Sequence, residues 1–247
     1  MHRLFMPPEQ LGRGQLQAPS KIELTAEQAR HLETVLRLEP GEEIEVFDGE
    51  GARFRAWLLE RGALRLAEAV PESPSRSVDV VLVQALAKGE KMDLVVQKAT
   101  ELGASRIVPL STERAVVRLD AERGGSRAGR WRRVTQEATR QCGRADVPRI
   151  DEPLGWDGVL ALLREDPARR GLLLDPEETV LRLGAAARGA RRVLLAVGPE
   201  GGFSPDERQR ARDGGMLSVG LGPLVLRTET AGLAALSIVL HVHGELG

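Results

Sequence analysis

The sequence predicts an α/β protein in which a small domain of short β-strands precedes a larger domain with an open, mostly parallel sheet. Three observations lead to this prediction. Short strand-like segments dominate up to residue 70, two prolines and three serines at 71–77 indicate a linker, and strands alternate with helices afterwards. That alternation is typical of parallel α/β sheets. We therefore predict domains at residues 1–72 and 73–247.

In the first domain, short strands are predicted to surround a single helix. The helix, at 25–38, has Thr25 and Gln28 in the positions of a capping box. Its apolar stripe consists of Ala29, Leu32, Val35 and Leu36. The strands are predicted at 3–6, 44–47, 52–59 and 64–70. Several short strands around one helix predict a small β-barrel.

In the second domain, apolar strand segments alternate with helical ones. Strands are predicted at 78–84, 106–110, 171–174, 193–197 and 217–219. Helices are predicted at 92–102, 130–142, around 159–163, at 204–212 and at 228–243. The last helix is apolar on nearly every side between 231 and 242, so it must be buried all round. Burial within one chain is one explanation, and a homodimer formed through this helix is the one we predict.

The composition excludes several classes of protein. No apolar run in the 247 residues reaches the roughly 18–20 needed to span a bilayer. Residues 1–10 lack the apolar segment of a signal peptide, so we predict a cytoplasmic protein with no membrane association. Cys142 is the only cysteine, which excludes an internal disulfide. Because no His, Cys and carboxylate cluster has metal-ligand spacing, we predict no metal site.

Positive charge is concentrated between residues 123 and 149. Eight arginines there are opposed only by Glu137 and Asp146, which gives 8 − 2 = +6 in a chain of net charge −1. Such a stretch is typical of a phosphate-binding surface, although a solvated helix face in an arginine-rich chain would look the same. Trp131 lies between arginines and is a candidate stacking platform for RNA bases. The predicted RNA contacts are Arg114, Arg130, Arg132, Arg133 and Arg144.

The strongest local motif is a glycine-rich loop between a strand and a helix. The strand at 193–197 leads into Gly198-Pro-Glu-Gly-Gly-Phe203, and the next helix begins with Ser204 as N-cap and Glu207 in a capping box. Ligands of open α/β sheets bind at the carboxyl ends of strands, and glycines let the backbone approach them closely. The loop has neither the lysine of a Walker A motif nor the dinucleotide fingerprint. A tight turn without a ligand is the alternative.

A second loop, at 220–226, precedes the last helix. Its glycines and proline lead directly into Arg227 and Glu229 at the helix start. A carboxylate in the first turn complements the helix dipole, which is the simplest role for Glu229. Arg227 could pair with Glu229 or with another acid. The physics of these residues does not by itself name a substrate.

The two loops together resemble a known enzyme class. Val-Gly-Pro-Glu-Gly-Gly-Phe at 197–203 and Leu-Arg-Thr-Glu-Thr-Ala at 226–231 are similar to the SPOUT class of RNA methyltransferases. Within that class the chain resembles the RsmE family, which methylates N3 of a uridine in 16S ribosomal RNA. Further similarities lie at 31–32, 35–38, 46–49, 88–93 and 97–103. One departure is Leu224, where the family usually carries arginine.

The resemblance implies a trefoil-knotted SPOUT methyltransferase domain behind a PUA-like, RNA-binding β-barrel domain. It also implies a homodimer, S-adenosylmethionine as cofactor, and ribosomal RNA of the small subunit as substrate. The loops that follow three strands would form the cofactor cradle. The residues expected there are Leu174, Asp175, Gly198, Glu200, Gly201, Gly202, Leu221, Gly222 and Leu226.

Methylation of uracil N3 requires help from the protein because this nitrogen carries a proton. Either a positioned base or a cation that stabilises the uracil anion is needed. We expect the chemical step to depend most on Arg227. Glu229 could hold Arg227 or the substrate in place, accept the proton, or favour the helix start. Two alternatives stay open: a SPOUT-class enzyme that modifies another RNA position or transfer RNA, and a non-catalytic RNA-binding relative.

Overall fold

The computed structural model describes residues 1–12, 20–60, 62–71, 76–115 and 121–247, with only the backbone of 121–123. The chain forms two compact units. The first comprises Met1–Pro74 and Thr139–Val147, and the second comprises Ser75–Ala138 and Pro148–Gly247. The predicted boundary at 72 and 73, and most of the predicted linker, lie outside the described residues. The grouping of 139–147 with the first unit was not predicted.

The described part of the first unit contains a sheet with the strand order β1-β3-β4-β5-β2. Its strands are β1 (His2–Phe5), β2 (Ser20–Glu23), β3 (Glu43–Phe47), β4 (Arg53–Leu59) and β5 (Ala63–Val70). β1 runs parallel to β3, and the other pairs are antiparallel. The short helix α1 (Pro8–Leu11) and β2 were not predicted from the sequence.

The helix of the first unit ends at Val35, before the predicted end at Leu38, and its last turn is π-helical. α2 (Ala26–Arg30) begins with the predicted capping box of Thr25 and Gln28. A π-helical turn, His31–Val35, then continues it, and the N–H of Leu36 donates to the carbonyl of His31 at 3.0 Å. This wider turn rotates the side chains that follow. Leu32 is fully buried but Val35 is 63% exposed, so the predicted apolar stripe is wrong at Val35.

The second unit is built on a parallel sheet, as predicted. Its described strands have the order β11-β9-β10-β6-β7-β8, and every pairing is parallel. They are β6 (Asp79–Ala85), β7 (Arg106–Leu110), β8 (Arg149–Ile150), β9 (Arg170–Leu174), β10 (Arg192–Val197) and β11 (Leu217–Val219). Side chains of consecutive residues, such as Leu82 and Val83, belong to two separate apolar clusters. The sheet is therefore buried on both faces, as parallel sheets are.

Helices cover this sheet. They are α3 (Lys91–Leu102), α4 (Ala121–Cys142), α5 (Trp156–Arg164), α6 (Leu183–Ala187), α7 (Pro205–Asp213) and α8 (Thr228–Val242). α8 packs against α3 and α6 and over β6 and β10, and it buries Ala235, Leu236, Val239 and Leu240. α4 starts earlier than predicted, and α6 and β8 were not predicted. Within the described ranges, no helix combines the length and apolarity required to cross a membrane.

Candidate functional site

A cavity of about 500 Å³ lies at the carboxyl edge of the parallel sheet. Its walls are the segments that follow β9, β10 and β11, together with the start of α8. All nine residues predicted to hold a cofactor line it, and Arg114 and Arg227 do so as well. The cavity therefore forms where parallel strands end together, which is the usual ligand site of this architecture.

Two of the cavity loops are bound tightly to each other at Gly220. Its N–H donates to the carbonyl of Leu181 at 2.9 Å, and its own carbonyl accepts from the N–H of Leu183 at 3.0 Å. A Cβ at position 220 would lie only 2.1 Å from the carbonyl oxygen of Glu178. Only glycine permits this approach, so Gly220 sets the spacing of the loops after β9 and β11.

The glycine-rich loop after β10 has the geometry expected of it. The N–H of Gly202 donates to the carbonyl of Pro199 at 2.9 Å, and Gly202 has a φ of 65°, which favours glycine. The predicted capping box of Ser204 and Glu207 is confirmed. A Cβ on Gly201 would lie 3.4 Å from the Cβ of Arg114, so this glycine faces a neighbouring side chain.

A buried hydrogen-bond chain connects the glycine-rich loop to α8. The side-chain amide of Gln84 in β6 donates to the hydroxyl of Thr228 at 2.8 Å, and that hydroxyl donates to the carbonyl of Gly198 at 2.5 Å. Gly232 lets α8 lie directly over Gln84, because a Cβ there would be 2.5 Å from the amide oxygen. Thr228 follows Arg227, so this chain fixes the backbone beside the predicted catalytic arginine.

Glu229 is paired with a lysine that the sequence did not single out. The ammonium of Lys91, at the start of α3, lies 3.2 Å from Glu229 and 3.0 Å from Glu200 of the glycine-rich loop. The pair of Arg227 with Glu229 that we considered is therefore replaced by Lys91 with Glu229. Arg227 is the exposed N-cap residue of α8, and no hydrogen-bond or ion-pair partner holds its guanidinium in the part of the chain that the structure describes.

Lys91 and Glu200 are both charged at neutral pH. The hydrogen bond to Glu200, and then the neighbouring carboxylate of Glu229, raise the pKa of Lys91 above its ordinary value of 10.5. Burial opposes ionisation of Glu200, but its own backbone N–H and Lys91 prevail and lower the pKa of Glu200 below 4.5. The stabilisation from Glu200 is therefore present above pH 4.5 and lost as the pH falls, whereas that from Lys91 is lost only above pH 10.5.

A second ion cluster borders the cavity at the loop after β9. Arg208 of α7 lies 2.8 Å from Glu177 and 3.4 Å from Asp175. The carboxylate of Asp175, which is 7% exposed, also accepts from the N–H of Glu177 at 3.1 Å. These contacts hold the loop after β9 in a fixed conformation. Among the described residues, no group of three or more His, Cys, Asp or Glu side chains is placed to hold a metal ion.

Family comparisons agree with this architecture. Residues 74–240 match a family model described as an RNA methyltransferase domain. The chain belongs to this family of RNA methyltransferases. Residues 24–62 match a second model, described as an RNA methyltransferase PUA domain. The family identified from the two loop motifs is therefore confirmed, and so is the pairing of a methyltransferase domain with a PUA domain.

Individual relatives span most of this RNA methyltransferase. The ribosomal RNA small subunit methyltransferase E of Mycobacterium bovis is 38% identical over 214 residues, which cover 85% of this chain and 82% of that protein. The same enzyme from Neisseria gonorrhoeae, solved bound to S-adenosyl methionine, is 30% identical with a TM-score of 0.85, covering 98% and 97%. A Legionella pneumophila methyltransferase solved with bound SAM is 33% identical with a TM-score of 0.84, covering 97% and 96%.

Four of the predicted RNA-binding arginines of this methyltransferase lie on α4 or beside the cavity without being buried. Arg132 and Arg133 are exposed on α4. Arg114 is exposed at the cavity, where its guanidinium donates to the carbonyl of Gly201 at 3.2 Å. Arg130 pairs with Asp93, but 64% of its side chain is exposed. All four present positive charge to solvent on the second unit.

Two predictions for the basic stretch need correction. Trp131 is 1% exposed and its Nε1 donates to Asp93 at 3.1 Å, so neither face of the ring is available for base stacking. The side chain of Arg144 is 7% exposed and pairs with Asp146 at 2.7 Å, while its carbonyl accepts from Arg3. Arg144 thus serves the structure of the first unit, and the prediction of RNA binding depends on the other four arginines.

Proposed function

We propose that this RNA methyltransferase uses S-adenosylmethionine to methylate N3 of a uridine in 16S ribosomal RNA. The observation that carries the proposal is the cavity at the sheet edge, which all nine expected cofactor residues line. The methyltransferase E relatives support the choice of small-subunit ribosomal RNA, and one of them was solved with S-adenosyl methionine. The uridine N3 position comes from the family resemblance. We place the reaction in the cytoplasm because its RNA substrate is there.

The cavity fits S-adenosylmethionine in size and in chemistry. Its volume of about 500 Å³ lies within the usual range for sites of this kind. Leu174, Leu221 and Leu226 would supply apolar contacts, and Gly198 and Gly222 would expose backbone groups. Asp175, Glu200, Gly201 and Gly202 would complete the cradle. When bound, the cofactor supplies an electrophilic methyl group, and the protein must orient the target nitrogen beside it.

Arg227 is the residue that we propose for the chemical step. An arginine guanidinium is a permanent cation in proteins, so this residue type suits stabilisation of a uracil that loses its N3 proton. Arg227 lines the cavity at the N-cap of α8. Glu229 acts in this proposal by fixing the first turn of α8 through Lys91, 3.2 Å away.

RNA binding is proposed for the exposed arginines of the second unit. Changing Arg132 and Arg133 together to glutamine is expected to reduce the slope of log affinity against log salt by about 0.7 for each phosphate that is no longer neutralised. Filter binding of a ribosomal RNA fragment at several salt concentrations measures this slope. The matched control changes Arg188 and Arg191 to glutamine. Both are exposed next to the start of β10, at the edge of the sheet away from the cavity. An equal effect of both pairs would argue against a specific surface.

The knot, the barrel and the dimer belong to this proposal too. The close approach of Gly220 to Glu178, where the chain after β11 passes against the loop after β9, supports a trefoil knot. The sheet of the first unit supports a PUA-like barrel. Leu233, Ala234 and Ile238 of α8 are only partly buried in one chain, which supports a homodimer through this face. Light scattering of the purified protein measures the oligomeric state.

Mass spectrometry of ribosomal RNA decides the substrate. Ribosomal RNA from a strain that lacks this protein should have one 3-methyluridine fewer in its 16S RNA, and the purified enzyme should restore it. Appearance of a different methylated nucleoside, or methylation of transfer RNA alone, would indicate another member of the SPOUT class. Calorimetry with S-adenosylmethionine tests the non-catalytic alternative, because that alternative predicts no cofactor binding.

A further inference from the structure

The ion cluster around Lys91 joins three segments that are far apart in sequence. Lys91 begins α3, Glu200 belongs to the glycine-rich loop, and Glu229 lies in the first turn of α8. The exposed fractions of the three side chains are 32%, 34% and 13%, so Glu229 is the most buried of the three. The cluster contains two carboxylates and a single ammonium.

Glu229 is largely buried, so the cation that pairs with it affects whether Arg227 stays unpaired. A carboxylate with 13% exposure has given up most of its hydration and requires a cation nearby. Arg227 is two residues away and has a long side chain without a partner in the described part of the chain. If Lys91 did not occupy Glu229, Arg227 would be the closest cation along the chain to take its place. An arginine paired in that way would offer less positive charge to a substrate.

We infer that Lys91 is a positioning residue that occupies Glu229 and so keeps the guanidinium of Arg227 unpaired at the cavity. The same ammonium binds Glu200 and ties the glycine-rich loop to α8. Lys91 does not line the cavity, so it acts through these carboxylates and not on the substrate itself. The catalytic importance of Arg227 rests on the proposed function, whereas its unpaired state does not.

Chemical modification measures the unpaired state directly. Phenylglyoxal reacts with accessible arginine side chains, and peptide mapping by mass spectrometry gives the rate at Arg227 in the cofactor-free protein. We expect Lys91→Met to slow modification of Arg227, because Glu229 then pairs with it. The double variant Lys91→Met/Glu229→Gln should restore the rate, since the competing carboxylate is gone. Modification of the exposed Arg188 serves as the internal control and should be equal in all variants.

The same variants separate charge from simple loss of structure. Lys91→Met should lower kcat for methyl transfer at least about tenfold, and the double variant should recover part of that loss. A merely structural role for Lys91 predicts that removal of Glu229 brings no recovery in either measurement. Unchanged modification of Arg227 in Lys91→Met would overturn the inference. The modification rates could behave as expected while neither the parent enzyme nor any variant methylates 16S RNA. In that case the proposed function fails and the inference stands.

Discussion

Arg227→Ala is expected to lower the single-turnover rate of methyl transfer by about a hundredfold to a thousandfold, the usual cost of losing a group that stabilises developing charge. The cause is the loss of the cation beside the uracil from which the N3 proton departs. Arg227 is exposed and packs into no core, so the free energy of unfolding should stay close to that of the parent. Rapid-quench measurement with saturating cofactor and an RNA fragment gives the rate.

Two further variants make the Arg227 test specific. Arg227→Lys keeps the positive charge but loses the planar guanidinium with its fixed set of N–H donors. Its rate should therefore lie between those of the parent and the alanine variant. Arg188→Ala removes another exposed arginine, near the opposite edge of the sheet, and should leave the rate unchanged. If Arg227→Ala methylates RNA at nearly the parental rate, Arg227 does not carry the chemical step and the proposed role is wrong.

Features that depend on neighbouring residues could be predicted from the sequence. The capping boxes at Thr25 and Ser204 involve residues three positions apart, and both form as expected. The parallel sheet follows from apolar runs that alternate with helices. The cavity loops could be located because each glycine-rich segment directly follows a strand, and parallel strands end at one edge of the sheet.

Contacts between distant residues could not be predicted in the same way. Lys91 lies 109 residues before Glu200, and Gln84 lies 144 residues before Thr228. No local pattern links such residues, and only the topology brings them together. Trp131 shows a related difficulty: the sequence places it among arginines on a helix but does not say which face of that helix is buried. Short elements such as β8, with two residues, carry too little periodicity to be recognised.

Gly220 carries a larger steric constraint beside the cavity than Gly201 of the glycine-rich loop does. At Gly201 an added Cβ would meet Arg114 at 3.4 Å, which an exposed side chain can accommodate. At Gly220 the added atom would be 2.1 Å from the main-chain oxygen of Glu178. A main-chain oxygen cannot move away by a side-chain rotation, so the clash persists. The loops that contain Glu178 and Gly220 would have to separate, and both border the cavity.

Gly220→Ala is therefore expected to lower the free energy of unfolding by about 1–3 kcal/mol, the usual cost of forcing an extra methyl group into packed structure. The affinity for S-adenosylmethionine should fall about tenfold or more as the two loops move apart, which corresponds to about 1.4 kcal/mol. Urea denaturation and calorimetry measure the two quantities. Gly222→Ala is the matched control for stability, because its added Cβ meets no atom within 4 Å and it lies in the same loop. A Gly220→Ala protein as stable as Gly222→Ala, with undiminished cofactor affinity, would show that the close approach at Gly220 does not set the shape of the cavity.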